Sequence, residues 1–161
     1  MIKKERFICP YTLYSTLEEL EPQDAELMRR AHEAAKNAYA PYSKFHVGAA
    51  VRLANGEVVM GNNIENAAYP SGLCAERVAM FGAMAKYPGV AIEALAVTAH
   101  SSSKLTEEPV APCGACRQVM VEVEQVSKRP LRVMCQGETG PIMAFDGVDS
   151  LMPFVFLDKF L

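Results

Sequence analysis

The sequence has no surplus of basic residues. Its 16 Lys and Arg stand against 19 Asp and Glu, a formal net charge of −3, and such a balance gives no electrostatic footprint for a polyphosphate ligand. No apolar run approaches the ~20 residues that span a bilayer, and no block of like charge, low-complexity tract or internal repeat is found. Cysteines are few, odd in number and unevenly spaced, at positions 9, 74, 113, 116 and 135, which argues against a disulfide framework. The opening residues MIKKERFICPYTLY lack the apolar stretch of a secretory signal. Together these absences predict a cytoplasmic protein with reduced thiols and a small-molecule ligand. A length of 161 residues fits one domain, long enough for a real core.

The pattern along the chain divides an irregular N-terminal arm, residues 1–22, from a single domain over 23–161. Leu27, Met28, Ala31, Ala35 and Ala38 recur at helical spacing and predict an amphipathic helix over 23–39. His32 within it reads as a packed or solvated side chain, and His46 reads as structural too. FHVGAAVRLANGEVVMGNNIE (45–65) gives two strand-like runs joined by Asn55-Gly56, a strong hairpin signal. Residues 73–86, interrupted only by Glu76 and Arg77 between their ends, predict a buried helix. Residues 91–99 predict a buried strand, 101–112 a loop, 113–126 a helix, and 131–136 and 141–146 two further strands. The order predicts a three-layer α/β/α sandwich around a mixed five-stranded sheet.

Residues 111–120, APCGACRQVM, put two cysteines on the first turn of a helix. A redox dithiol would suit that position but leaves Cys74 unexplained. Cys74 opens its helix as Cys113 opens the other, whereas Cys135 reads as a small buried hydrophobe in a strand. Three thiolates, from Cys74, Cys113 and Cys116, would give zinc three ligands and one open position, the pattern of a catalytic site. Glu76, two residues past Cys74, is the candidate general acid/base. An acidic residue in a first helical turn otherwise serves only the helix dipole, but beside such a site its carboxyl stands where proton transfer is wanted.

Cys74-Ala75-Glu76 followed by Pro112-Cys113-Gly114-Ala115-Cys116 resembles the zinc nucleoside and nucleobase deaminases. AYAPYSKFHVGAAV (38–51), GNNIENAAYPSGLCAER (61–77) and PCGACRQVM (112–120) resemble the cytidine deaminase family, in its small homotetrameric form with three cysteine ligands. The resemblance implies one Zn2+ per chain on Cys74, Cys113 and Cys116. It implies that Glu76 passes the proton of the attacking water to N3 of the base and then to the departing ammonia. Asn63 and Glu65 would hold the ribose, Phe45 would pack on the base, and backbone groups of Ala67 and Ala75 would read its edge. Phe156, after Met152-Pro153 in the apolar LMPFVFLDKFL (151–161), would close a neighbouring subunit's pocket, with Tyr69 reaching an adjacent site. Arg77 would offset the negative charge of three thiolates. The implied reaction is hydrolytic deamination of free cytidine and 2′-deoxycytidine. Alternatives are another aminopyrimidine nucleoside on the same site, cytosine within a polynucleotide, and a zinc scaffold without catalysis, which would have no use for Glu76.

Overall fold

The computed structural model describes residues 1–161. Nine regular elements follow in chain order: β1 (Thr12–Tyr14), α1 (Pro22–Ala35), β2 (Phe45–Leu53), β3 (Val58–Asn62), α2 (Ala75–Lys86), β4 (Ile92–Ser101), α3 (Gly114–Ser127), β5 (Arg132–Gln136) and β6 (Ile142–Phe145). The strands form one sheet in the order β1-β6-β5-β4-β2-β3. Only β4 and β5 run parallel, joined by a crossover through α3, while β2–β3 and β5–β6 are sequence neighbours paired antiparallel.

Alternation along the strands splits the core into two layers. Ala49, Val51 and Leu53 of β2 and Leu95 and Val97 of β4 pack with α2 and α3. Ala50, Ala94, Ala96 and Met134 point the other way and pack on Leu27, Met28 and Ala31 of α1. Successive strand side chains face opposite sides, so the alanine-rich β2 and β4 serve two helical layers at once. Met28 and Met120 are fully buried on opposite faces, and truncation of either to alanine would cost about 2–5 kcal/mol. No helix is long and apolar enough to cross a membrane.

The sheet has six strands, not five. The additional strand, β1, comes from the arm: Thr12, Leu13 and Tyr14 pair with Ala144, Met143 and Ile142. It covers the backbone edge that β6 would otherwise leave unpaired. A charged clip holds it there. Asp24, on the first turn of α1 and 3% exposed, accepts from Arg52 Nη1 at 2.8 Å and Arg132 Nε at 2.7 Å. Arg132 Nη2 also donates to Tyr14 Oη at 3.2 Å. The first helix ends at Ala35 rather than 39, because Asn37 and Ala38 donate to carbonyls only three residues back. Tyr39 then leaves the helix to bridge Ile64.

Candidate active site

Two helix starts meet on one face of the sheet. Cys74 caps α2 and Cys113 caps α3, both with extended backbone, while Cys116 lies within the first turn of α3 and is buried. Cys74 Sγ is 3.8 Å from Cys113 Sγ, which is 3.6 Å from Cys116 Sγ, and all three sulfurs lie within 4.8 Å of one another. A tetrahedral zinc with bonds near 2.3 Å requires sulfurs about 3.8 Å apart, so this donor set fits the metal in both chemistry and spacing. The five cysteines are free thiols.

The electrostatics favour anionic sulfur at Cys74. Hydrogen bonding from the Cys116 thiol, aided by Arg77, pulls the Cys74 thiol down to about 5 against the cost of burial. Arg77 Nη2 lies 3.5 Å from Cys74 Sγ. Cys116 shifts upward, as the thiol that keeps its proton and donates it to Cys74, with burial and Glu76 adding to the effect. The N-termini of both helices add positive potential at the same point. Glu76 is 5% exposed, and burial, followed in strength by opposing backbone hydrogen bonding and then the Cys74 sulfur, leaves its carboxyl above the usual range.

A cavity of about 760 Å³ opens over these groups, lined by Phe45 and Val47, by Asn63 and Glu65, by Cys74, Glu76 and Arg77, and by Val110, Ala111 and Cys113. Tyr42 and Tyr69 also line it, with ring centres 6.0 Å apart. That volume suits a ligand of nucleoside size.

Residues 21–130 match the family described as the cytidine and deoxycytidylate deaminase zinc-binding region. This chain belongs to that family. It is 41% identical over 130 residues to the cytidine deaminase of Halalkalibacterium halodurans, covering 81% of this chain and 91% of the relative. It is 44% identical over 129 residues to that of Mycobacterium tuberculosis, covering 78% and 90%. The crystal structure of cytidine deaminase from Burkholderia pseudomallei superposes with a TM-score of 0.70 at 41% identity, over 81% of this chain and 97% of that one.

Within this deaminase fold, eight of the residues singled out from sequence line the one cavity: Phe45, Asn63, Glu65, Tyr69, Cys74, Glu76, Arg77 and Cys113. Cys116 completes the sulfur cluster beneath it. Ala75 is buried between Cys74 and Glu76, and its side chain belongs to the core. Ala67 is exposed and adjoins the lining residue Asn66. Phe156 does not line the cavity of its own chain; it is 56% exposed and stacks on Phe160. Asn63 and Glu65 have partners the sequence did not announce. Asn63 accepts from Val47 N at 2.8 Å and donates to Phe45 O at 2.9 Å, pinning the start of β2. Glu65 holds the backbone of Tyr42 and Ser43. Tyr42 and Ser43 are lining residues that sequence reasoning passed over, although a hydroxyl two residues before Phe45 is a turn signal.

Proposed function

We propose that this chain is a zinc-dependent cytidine deaminase that hydrolyses free cytidine and 2′-deoxycytidine to uridine and 2′-deoxyuridine, consuming water and releasing ammonia. One observation carries the reading: a buried glutamate and two of three convergent sulfurs line a cavity of nucleoside size, with the third sulfur beneath them. Zinc on Cys74, Cys113 and Cys116 supplies Lewis-acid activation of water. Glu76 takes one proton of the attacking water and gives it to N3 of the base, then carries the second, from the new C4 hydroxyl, to the amino group, which leaves as ammonia as the C4 carbonyl forms. Its upward-shifted carboxyl suits it to hold a proton that an exposed glutamate would release. Arg77, against Cys74 Sγ, draws charge from a site whose three thiolates and one Zn2+ sum to −1.

Phe45 packs on the base, backbone groups of Ala67 and Ala75 read its edge, and Asn63 and Glu65 engage the ribose. The assembly we propose is a homotetramer in which Phe156 and Tyr69 reach neighbouring sites. Their exposure supports this: Tyr69 is 76% exposed at the cavity and Phe156 lies in an apolar tail.

Absorbance-monitored cytidine turnover, with ammonia release and metal content, tests the activity. Glu76→Gln should keep zinc and fold yet lose at least about 10²–10⁴-fold in kcat. Wild-type kcat in that variant would reduce Glu76 to a helix-dipole partner. A zinc-loaded wild-type protein that releases no ammonia from cytidine would overturn the reading.

A further inference from the structure

The carboxylate of Glu65 is held by a short chain of hydrogen bonds that begins at the backbone of Phe45. Phe45 N donates to Ser43 Oγ at 3.1 Å, and Ser43 Oγ in turn donates to Glu65 Oε1. The other carboxylate oxygen, Oε2, accepts from Tyr42 N at 2.9 Å and Ser43 N at 3.3 Å. Lys44 sits between Ser43 and Phe45 in the left-handed region, at φ 57, and so folds the Phe45 N–H back onto the Ser43 hydroxyl. The turn is closed by Lys44 N on Ala40 O and Ser102 N on Lys44 O, both at 3.1 Å. Ser43, Phe45 and Glu65 all line the cavity.

Counting donors and acceptors fixes what each group can still do. A serine hydroxyl has one proton, and here Glu65 receives it, so Ser43 has none to offer a nucleoside. A carboxylate has about four acceptor positions. Oε2 is filled by two backbone N–H groups and Oε1 is half filled by Ser43, which leaves a single acceptor position, on Oε1.

We propose that Ser43 is a positioning residue for the sugar: it orients Glu65 so that Oε1 keeps one acceptor position for one ribose hydroxyl, and it ties that orientation to the strand that carries Phe45. The inference rests on the reading that Glu65 binds ribose. Removal of the hydroxyl frees a second position on Oε1, removes the only tether on that oxygen and leaves Phe45 N–H without its partner. The carboxylate stays anchored at Oε2 by the two backbone N–H groups but can turn about that anchor, so Oε1 is no longer aimed, and recognition of the sugar hydroxyl weakens while the chemistry at the base does not depend on it.

The discriminating measurement is the ratio of kcat/KM for cytidine to that for 2′,3′-dideoxycytidine, which keeps the 5′-hydroxyl and lacks the two ring hydroxyls, one of which the proposal assigns to Glu65. Ser43→Ala should lower this ratio about tenfold, chiefly through the KM for cytidine, the loss of one hydrogen bond to a charged group. Zinc should remain at one per chain. Ser43→Thr, which keeps a hydroxyl, should hold the ratio within about twofold of wild type, and Ser43→Cys, of similar volume but a weak donor, should lower it should the alanine variant fail to fold. A fall in both substrates together, with the ratio kept, would mean that Ser43 is only structural and would overturn the inference. Glu65→Ala separates the two levels. If Glu65→Ala collapses the ratio and neither Ser43→Ala nor Ser43→Cys does, Ser43 fails alone. If Glu65→Ala leaves the ratio intact, Glu65 binds neither ring hydroxyl and the Ser43 inference fails with that reading.

Discussion

Cys113 and Cys135 are the same residue in opposite surroundings. Cys113 stands exposed at a helix start with two other sulfurs within 4.8 Å, so a metal can take it as thiolate. Cys135 is fully buried in β5, where loss of hydration pushes its thiol up to about 12, and it stays protonated. Cys113→Ala should therefore release zinc and activity together, since two remaining sulfurs cannot hold a structural charge of metal at this site. Cys135→Ala should retain one zinc per chain and lose only about 1 kcal/mol for the deleted sulfur. Metal analysis of the two purified variants checks this, and equal zinc loss in both would reassign the ligands. The distinction was legible in sequence, because Cys113 and Cys74 each precede a helical run while Cys135 interrupts a strand. The partners of Asn63 and Glu65 were not legible, since each bonds backbone 16 to 23 residues away and no local pattern encodes that distance.

Elements are placed by how closely their backbones approach. A methyl group on Gly61 of β3 would lie 2.5 Å from Ala79 N and 2.6 Å from Ala75 O of α2, so that helix can sit where it does only over a glycine. Gly61→Ala should push the start of α2 outward, carrying Cys74 and Glu76 with it. Overpacking of this kind costs about 1–3 kcal/mol, and Tm should fall by roughly 3–10 °C with weakened zinc retention against a chelator. Gly82→Ala in the same helix meets only Val59 Cγ1 at 3.6 Å and should not lower Tm. A second junction, between α1 and the sheet, gathers all three histidines: His46 pairs across strands with His100, and His32 Nδ1 lies 3.2 Å from His100 Nε2. Burial, then the neighbouring His32, holds His100 below its ordinary 6.5, with His46 and Lys36 acting in the same direction and Glu138 against it. The unfolded chain takes this proton near pH 6.5 and the folded chain only below that, so stability is full above about 6.5 and is lost as pH falls through the folded value. Urea midpoints measured from pH 8 to 5 should show that loss, and His100→Gln should flatten it; parallel profiles would remove His100 from the acid response. Periodicity made the helices and the five longer strands readable. It could not reveal β1, whose three residues are too few to alternate, or a histidine cluster joined across 68 positions.

Of the apolar side chains the molecule leaves exposed, two groups bear on assembly. Phe81 and Met84 on α2 are 45% and 38% exposed, and Phe154, Phe156 and Phe160 are exposed together in the tail. Contiguous patches of this kind mark interfaces, and two separate faces allow closed assemblies larger than a dimer. In the proposed tetramer, Phe156 serves a cavity other than its own, which accords with its absence from the lining of its own chain's cavity. Phe156→Ala should then raise KM for cytidine without loss of zinc, by about tenfold for one aromatic contact. Chain mixing decides whose Phe156 acts. A chain carrying Phe156→Ala still has Glu76, and a chain carrying Glu76→Gln still has Phe156. Refolded together in equal amounts, they restore a site wherever a Phe156→Ala chain receives its phenylalanine from a Glu76→Gln neighbour, about a quarter of all sites if assembly is random. If Phe156 served its own chain, no site in any hybrid would hold both groups and mixing would restore nothing. Light scattering at assay concentration supplies the companion measurement: a fully active monomer would end the proposal, since no neighbour would exist to complete the cavity.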